Sequence, residues 1–260
     1  MHEAVIDIQN LSRRVGNRFL IKNINWKVNR GEHWVIFGGN GSGKTTLLSA
    51  IAGFGSYDNG SCRVFGEEIA DCDLSVLRKK IGWISGSYFD KQYHNETVLE
   101  IILSGKSGTL GLRHGITNLD LLMVQKLLDS SHLSHKKDSP FCTLSKGEQQ
   151  NILICRALIA EPEILIMDEP CTGLDIMARE RVFQWLKHYA SFKHITLIYV
   201  THYIEEILDV FQNCLFLKNG VVYMQGATDE LVTDKVMSDF FEYPIKIKHE
   251  NNRRIAVFKE

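Results

Sequence analysis

The residues best suited to chemistry lie together in Gly38-Gly39-Asn40-Gly41-Ser42-Gly43-Lys44-Thr45, with Thr46 directly after. The spacing fits G-x-x-x-x-G-K-[ST]. Small residues let successive backbone N–H groups turn toward one point and form an anion nest. The start of a helix adds partial positive charge there. Lys44 would then reach the β- and γ-phosphates of a nucleoside triphosphate, and the Thr45 hydroxyl would ligate Mg²⁺. The alternative is a glycine turn before an ordinary helix.

Three further groups fit the same chemistry. Ile164-Leu165-Ile166-Met167 ends in Asp168-Glu169. Asp168 would hold Mg²⁺, and Glu169 could orient or deprotonate an attacking water. Leu144-Ser145-Lys146-Gly147-Glu148-Gln149-Gln150 opens a helix. Its first N–H groups offer a second anion site, and the same residues read as a serine cap with Glu148 as capping-box partner. His202 follows the apolar stretch Ile195 to Val200. An imidazole at the carboxyl end of a parallel strand is placed to meet a γ-phosphate or a water.

The elements needed to position these groups can be read from the pattern. His33 to Phe37 is a buried strand feeding the glycine loop, and residues 46–52 form a helix stopped by Gly53. Alternation at residues 5–8 and 24–28 predicts two antiparallel strands before that core. Short strands follow at 61–65 and 81–85, with a basic helix at 74–80. Between residues 90 and 159 the pattern turns helical, over 97–103, 119–128 and 145–159, as an insert in an α/β chain. Helices are predicted at 177–189 and 204–211, and a hairpin about Lys218-Asn219-Gly220. The tail predicts a helix over 231–241 and a hairpin turning at Asn251-Asn252.

Composition sets bounds on function. The 260 residues are 44% hydrophobic and 23% charged, with a net charge of −1. That is a globular composition large enough for a core without disulfides. The charge gives no electrostatic footprint of nucleic-acid binding, and no nucleic-acid partner is expected. Six dispersed cysteines without a C-x-x-C pair fit free thiols. With no run near the ~20 apolar residues of a membrane span, membrane work would need a partner to supply the spans.

The motifs stand in the order of an ATP-binding cassette (ABC) ATPase, which the chain resembles from about residue 3 to 230. The carrying features are the glycine loop, Leu144-Ser145 with Gly147, Asp168-Glu169-Pro170, Thr172-Gly173-Leu174-Asp175 and His202. The branch resembled is the single-cassette molybdate-transport or photorepair type. The resemblance implies an α/β P-loop NTPase with a RecA-like core, an N-terminal antiparallel β subdomain and an inserted helical subdomain at about 90–158. Residues 1–230 would be the ATPase domain and 231–260 an extension.

The resemblance further implies Mg·ATP sandwiched in a homodimer or heterodimer of ABC ATPase subunits. Ser145, Gly147 and Glu148 would meet the partner's ATP, and Asp175 would lie in the D-loop across the interface. An integral-membrane permease would be driven from the cytoplasmic, inner face. The alternative is a soluble ABC ATPase acting on nucleic acid or ribosomes. Departures from the family pattern are Val15 at the adenine-stacking aromatic, Gly86 at the glutamine after the 81–85 strand, Lys146 and Glu148 in the signature, and Gly39 in the loop.

Overall fold

A computed structural model describes residues 3–85, 93, 95–108, 111, 115–192, 195–251 and 253–258. Gly86, and Ser87 and Gln92 near it, lie outside the described residues. The chain divides into two compact units, Met1–Asp71 with Ala190–Glu260, and Cys72–Tyr189.

The first unit begins with an antiparallel sheet. Strands β1 (Ala4–Val15) and β2 (Arg18–Asn29) pair with Ile6 opposite Val28 and Ile8 opposite Trp26. These four side chains are buried, as period-two alternation requires. β4 (Asn59–Val64) and β5 (Glu67–Glu68) extend the sheet in the order β2-β1-β4-β5.

A second set of strands in this unit carries the glycine loop. β3 (His33–Phe37) is buried throughout and pairs in parallel with β8 (Thr196–Thr201) and β9 (Asn213–Lys218). β10 (Val221–Ala227) returns antiparallel to β9. The register sets Phe37 opposite Thr201, so the glycine loop and His202 leave neighbouring strands at the same end. Helix α1 (Lys44–Ile51) follows the loop.

The expected C-terminal hairpin is present as β11 (Ile245–Glu250) and β12 (Arg253–Phe258). The helix expected over 231–241 is interrupted, the chain forming two helices over Thr228–Leu231 and Asp234–Phe241. Thr233 stops the first from running on, because its hydroxyl caps the second by accepting from Val236 N–H. Phe240 of the longer helix stands 5.8 Å from the Phe37 ring and 5.2 Å from Phe216, which attaches the extension to the strand core.

The second unit contains α2 (Leu74–Lys80) and the parallel pair β6 (Ile81–Ser85) and β7 (Ile164–Asp168). It also holds α3 (Val98–Lys106), α4 (Asn118–Ser130), α5 (Lys146–Leu158) and α6 (Ile176–Ala190), the last reaching the unit's edge. The three predicted inserted helices thus form, each within a few residues of the expected bounds. α3 and α5 touch through backbone: a Cβ on Gly105 would lie 1.9 Å from the Arg156 carbonyl oxygen. Among the described residues no helix is long and apolar enough to cross a membrane.

The helix expected over 204–211 does not form. The chain makes a single 3-10 turn at Ile204–Glu206 and then runs irregularly. Tertiary demands override the helical periodicity. Glu206 turns inward to accept from the Thr201 hydroxyl at 2.7 Å and the Tyr199 hydroxyl at 2.9 Å. Ile204, Ile207, Leu208 and Phe211 are buried all the same, so the apolar positions that predicted a helix reach the core without one.

Candidate nucleotide site

In the first unit the loop geometry follows from its glycines. A Cβ on Gly38 would lie 2.3 Å from the Leu217 carbonyl oxygen and 2.7 Å from Ser42 Oγ. Gly41 and Gly43 adopt φ of 75° and 104°, a region costly for side chains. At Gly43 a Cβ would also meet Leu20 O at 2.7 Å. Gly220 N–H donates to Ser42 O at 3.0 Å, tying the loop to the turn between β9 and β10.

Lys44 is 5% exposed, and its ammonium donates to Gly38 O at 2.8 Å and Gly39 O at 3.0 Å. The cation is therefore held among the loop's own carbonyls. Thr45 is exposed and Thr46 half-buried, while Gly39, Asn40 and Gly41 form the open rim.

Two observations test the loop against a phosphate. α1 has no side-chain cap, because its N-cap is Gly43, and no acidic residue sits in its first turn. By contrast α2, α3, α4 and α5 are all capped, by Asp73, Thr97, Thr117 and Ser145. No side-chain cap or first-turn carboxylate therefore competes with an anion at the α1 N-terminus. In addition, Ser42 Oγ is buried without a hydrogen-bond partner, which is costly unless a ligand supplies one. Both fit a bound polyphosphate.

His202 lies directly beyond β8, its ring centroid 4.1 Å from that of Tyr203. Tyr203 N–H donates to Thr201 Oγ1 at 3.0 Å. Val15 ends β1 and is 58% exposed. Phe19, 42% exposed, sits opposite Arg14, with Lys22 Nζ 5.3 Å from its ring centroid.

In the second unit β7 delivers the acidic pair. Asp168 is 5% exposed and accepts from Ser85 Oγ at 3.4 Å. Ser85 ends β6 opposite Asp168. Glu169 has φ of 49°, a conformation that costs a non-glycine residue on the order of 1–3 kcal/mol and gathers at functional sites.

The signature residues form a complete capping box. Ser145 N–H donates to Glu148 Oε2 at 2.8 Å, and Glu148 N–H donates to Ser145 Oγ at 3.3 Å. Donation from the Ser145 amide is the chief cause holding the Glu148 carboxyl below its ordinary range. Gly147 packs closely, since a Cβ there would lie 3.2 Å from Ala178 Cβ. Asp175 is exposed and caps α6, accepting from Ala178 N–H at 2.8 Å. A cavity of about 950 Å³ is lined by Ser145, Lys146, Gly147, Glu148 and Asp175, and continues to Trp185.

The structure therefore brings the loop and His202 together at one strand end, and Ser145, Gly147, Glu148 and Asp175 around one cavity. Sequence reasoning missed the unpartnered Ser42 hydroxyl and the strained Glu169 backbone. Neither has a sequence signal, because both depend on what packs around them.

The strand, glycine loop, helix and acidic strand define a P-loop NTPase. The family model described as ABC transporter matches residues 21–172. An uncharacterized ABC transporter ATP-binding protein of Bacillus subtilis (strain 168), YlmA, is 37% identical, with 96% of this chain and 95% of that protein aligned. Among solved structures, cbiO1 from Clostridium perfringens, part of the ABC transporter complex cbiONQ, superposes with TM-score 0.74 at 26% identity, covering 91% of this chain and 94% of that one. A dimeric bacterial ABC transporter cassette does so with TM-score 0.75 at 26% identity, covering 85% and 98%. The chain belongs to the ABC transporter family, as one of its ATP-binding, ATP-hydrolysing subunits.

Proposed function

We propose that the chain binds Mg·ATP through residues 38–46, pairs with a second ABC subunit across it, and drives an integral-membrane permease from the cytoplasmic face. Lys44 neutralises the β/γ charge, and the amides of the loop and α1 receive the phosphate oxygens. Thr45 and Asp168 would hold Mg²⁺, which supplies charge neutralisation and orients the terminal phosphate. Glu169 takes the proton of the attacking water, and His202 faces the γ-phosphate. Ser145, Gly147 and Glu148 meet the other subunit's nucleotide, with Asp175 at the interface. Residues 90–158 form the helical subdomain that docks on the permease, within the ATPase domain of residues 1–230.

The observation that carries this reading is the uncapped N-terminus of α1 beside the buried Lys44 and the orphaned Ser42 hydroxyl. The test has two arms. Lys44→Ala should lose binding of a fluorescent ATP analogue, and retained affinity would refute the loop assignment. The full chain should co-purify with a multi-span protein from detergent-solubilised membranes. Exclusive recovery with ribosomes or nucleic acid would overturn the transport reading.

A further inference from the structure

The C-terminal hairpin reaches into the first unit with a buried cation. Arg254 of β12 is 4% exposed. Burying a guanidinium is costly, and a buried charge pair is weak evidence for added stability. Nor does attachment of the hairpin require it, because Ile245 and Ile247 of β11 are already buried at 1% and 9% exposure. The direction of its hydrogen bonds is more informative.

Nη1 of Arg254 donates to the Ile207 carbonyl at 2.8 Å and stands 3.3 Å from Asp209 Oδ1. Nη2 donates to Asp229 Oδ1 at 2.6 Å. Ile207 is fully buried, so its carbonyl needs a partner inside the protein, and Arg254 supplies one. Ile207 N–H in turn donates to Ile204 O at 3.0 Å, closing the 3-10 turn that begins two residues after His202.

That turn is pinned at two points. Glu206 binds the hydroxyls of Thr201 and Tyr199 on β8. Ile207 is bound by the C-terminal hairpin through Arg254. His202 lies between Thr201 and the turn, outside any regular element. Its placement therefore depends on both pins, and one of them is supplied by the last strand of the chain. The acid partners are open to solvent, with side-chain exposures of 53% for Asp209 and 88% for Asp229, so either carboxylate can be substituted without opening the core.

We propose that Arg254 is a positioning residue for His202, and that the C-terminal hairpin thereby sets the rate of ATP hydrolysis. This rests on the reading of His202 as the group facing the γ-phosphate. Arg254 touches no substrate. It acts by fixing the Ile207 carbonyl and hence the path of residues 202–207. The glycine loop makes no contact with it in this scheme, so nucleotide affinity should not change.

The test compares full-length Arg254→Gln, Arg254→Lys, Asp229→Asn and His202→Ala in steady-state ATP hydrolysis, with thermal melts as the check on folding. Arg254→Gln should lower kcat by about tenfold, the scale of a small misplacement of a reacting group, and leave KM within about twofold. Arg254→Lys, which keeps a cation but loses the fork, should recover part of the loss. Asp229→Asn, at an exposed carboxylate, should move kcat the same way by a smaller factor even if Arg254→Gln fails to fold. Hydrogen exchange at the amides of residues 203–208 should quicken in step with the loss of kcat. Folded Arg254→Gln and Asp229→Asn proteins with wild-type kcat, beside an inactive His202→Ala, would overturn the positioning role and leave the His202 reading intact. Wild-type turnover by His202→Ala would overturn that reading, and the proposal with it.

Discussion

Lys44 donates to Gly38 O and Gly39 O in place of a phosphate, so a nucleotide would meet a cation already in position. The ordering entropy of a long side chain is thereby spent before binding. Glu169 shows a different kind of preparation, with φ at 49° directly after a buried strand. Glu169→Gln conserves shape and backbone but cannot accept a proton. Hydrolysis should fall by about a hundredfold or more in single-turnover assays while ATP affinity is retained. Val15 is exposed at the end of β1 and has no π face to offer a base. Val15→Tyr should lower the Michaelis constant for ATP, and an unchanged value would assign the base contact to Phe19 or Arg14. The identity of most of these residues was legible because phosphate chemistry needs glycines, a lysine and a hydroxyl at fixed spacing. Glu169's backbone strain and Ser42's orphaned hydroxyl were not legible, since each is defined by neighbours distant in sequence.

Of the helix caps only Ser145 with Glu148 was read from the sequence, although capping is local and two further boxes follow the same spacing. Thr97 with Glu100, Thr117 with Asp120 and Ser145 with Glu148 each form a reciprocal box. The stretch 204–211 misled because its apolar spacing is helical, while Glu206 is recruited by β8 and the Ile207 carbonyl by Arg254. One capping residue also gives the inserted helices a pH dependence. Asp120 accepts from Lys106 and from the Thr117 hydroxyl and amide. Lys106 is the main cause that draws its carboxyl down to about 2. A carboxyl depressed on folding stabilises above its unfolded value and loses that contribution as pH falls toward the folded one. Lys106→Met should therefore be less stable than wild type at neutral pH, and the two urea midpoints should converge as pH drops from about 4 to about 2. Parallel curves down to the lowest pH would show that Lys106 does not set the Asp120 titration.

At the scale of the whole molecule, the signature presents an electrostatic conflict. The α5 N-terminus should attract the phosphate of a second subunit's nucleotide, yet the Glu148 carboxylate already accepts the Ser145 amide there. Its carboxyl is held below the ordinary range, chiefly by that amide, so it stays charged at neutral pH and opposes an incoming anion. Glutamine has the same reach and supports the same capping box without the charge. In a Glu169→Gln background, where ATP is held unhydrolysed, Glu148→Gln should strengthen ATP-dependent dimerisation. Each site is solvent-exposed and screened, so the gain per site is small, but a two-fold symmetric dimer has two sites. Together they should lower the dimer dissociation constant by roughly three- to tenfold at low salt. The gain should shrink as salt approaches about 1 M, where screening acts within about 3 Å. Sedimentation velocity with Mg·ATP across a salt series measures both effects. A weaker dimer from Glu148→Gln would mean that the carboxylate assists the contact, through Ser145 or Lys146, and that phosphate does not approach this helix end.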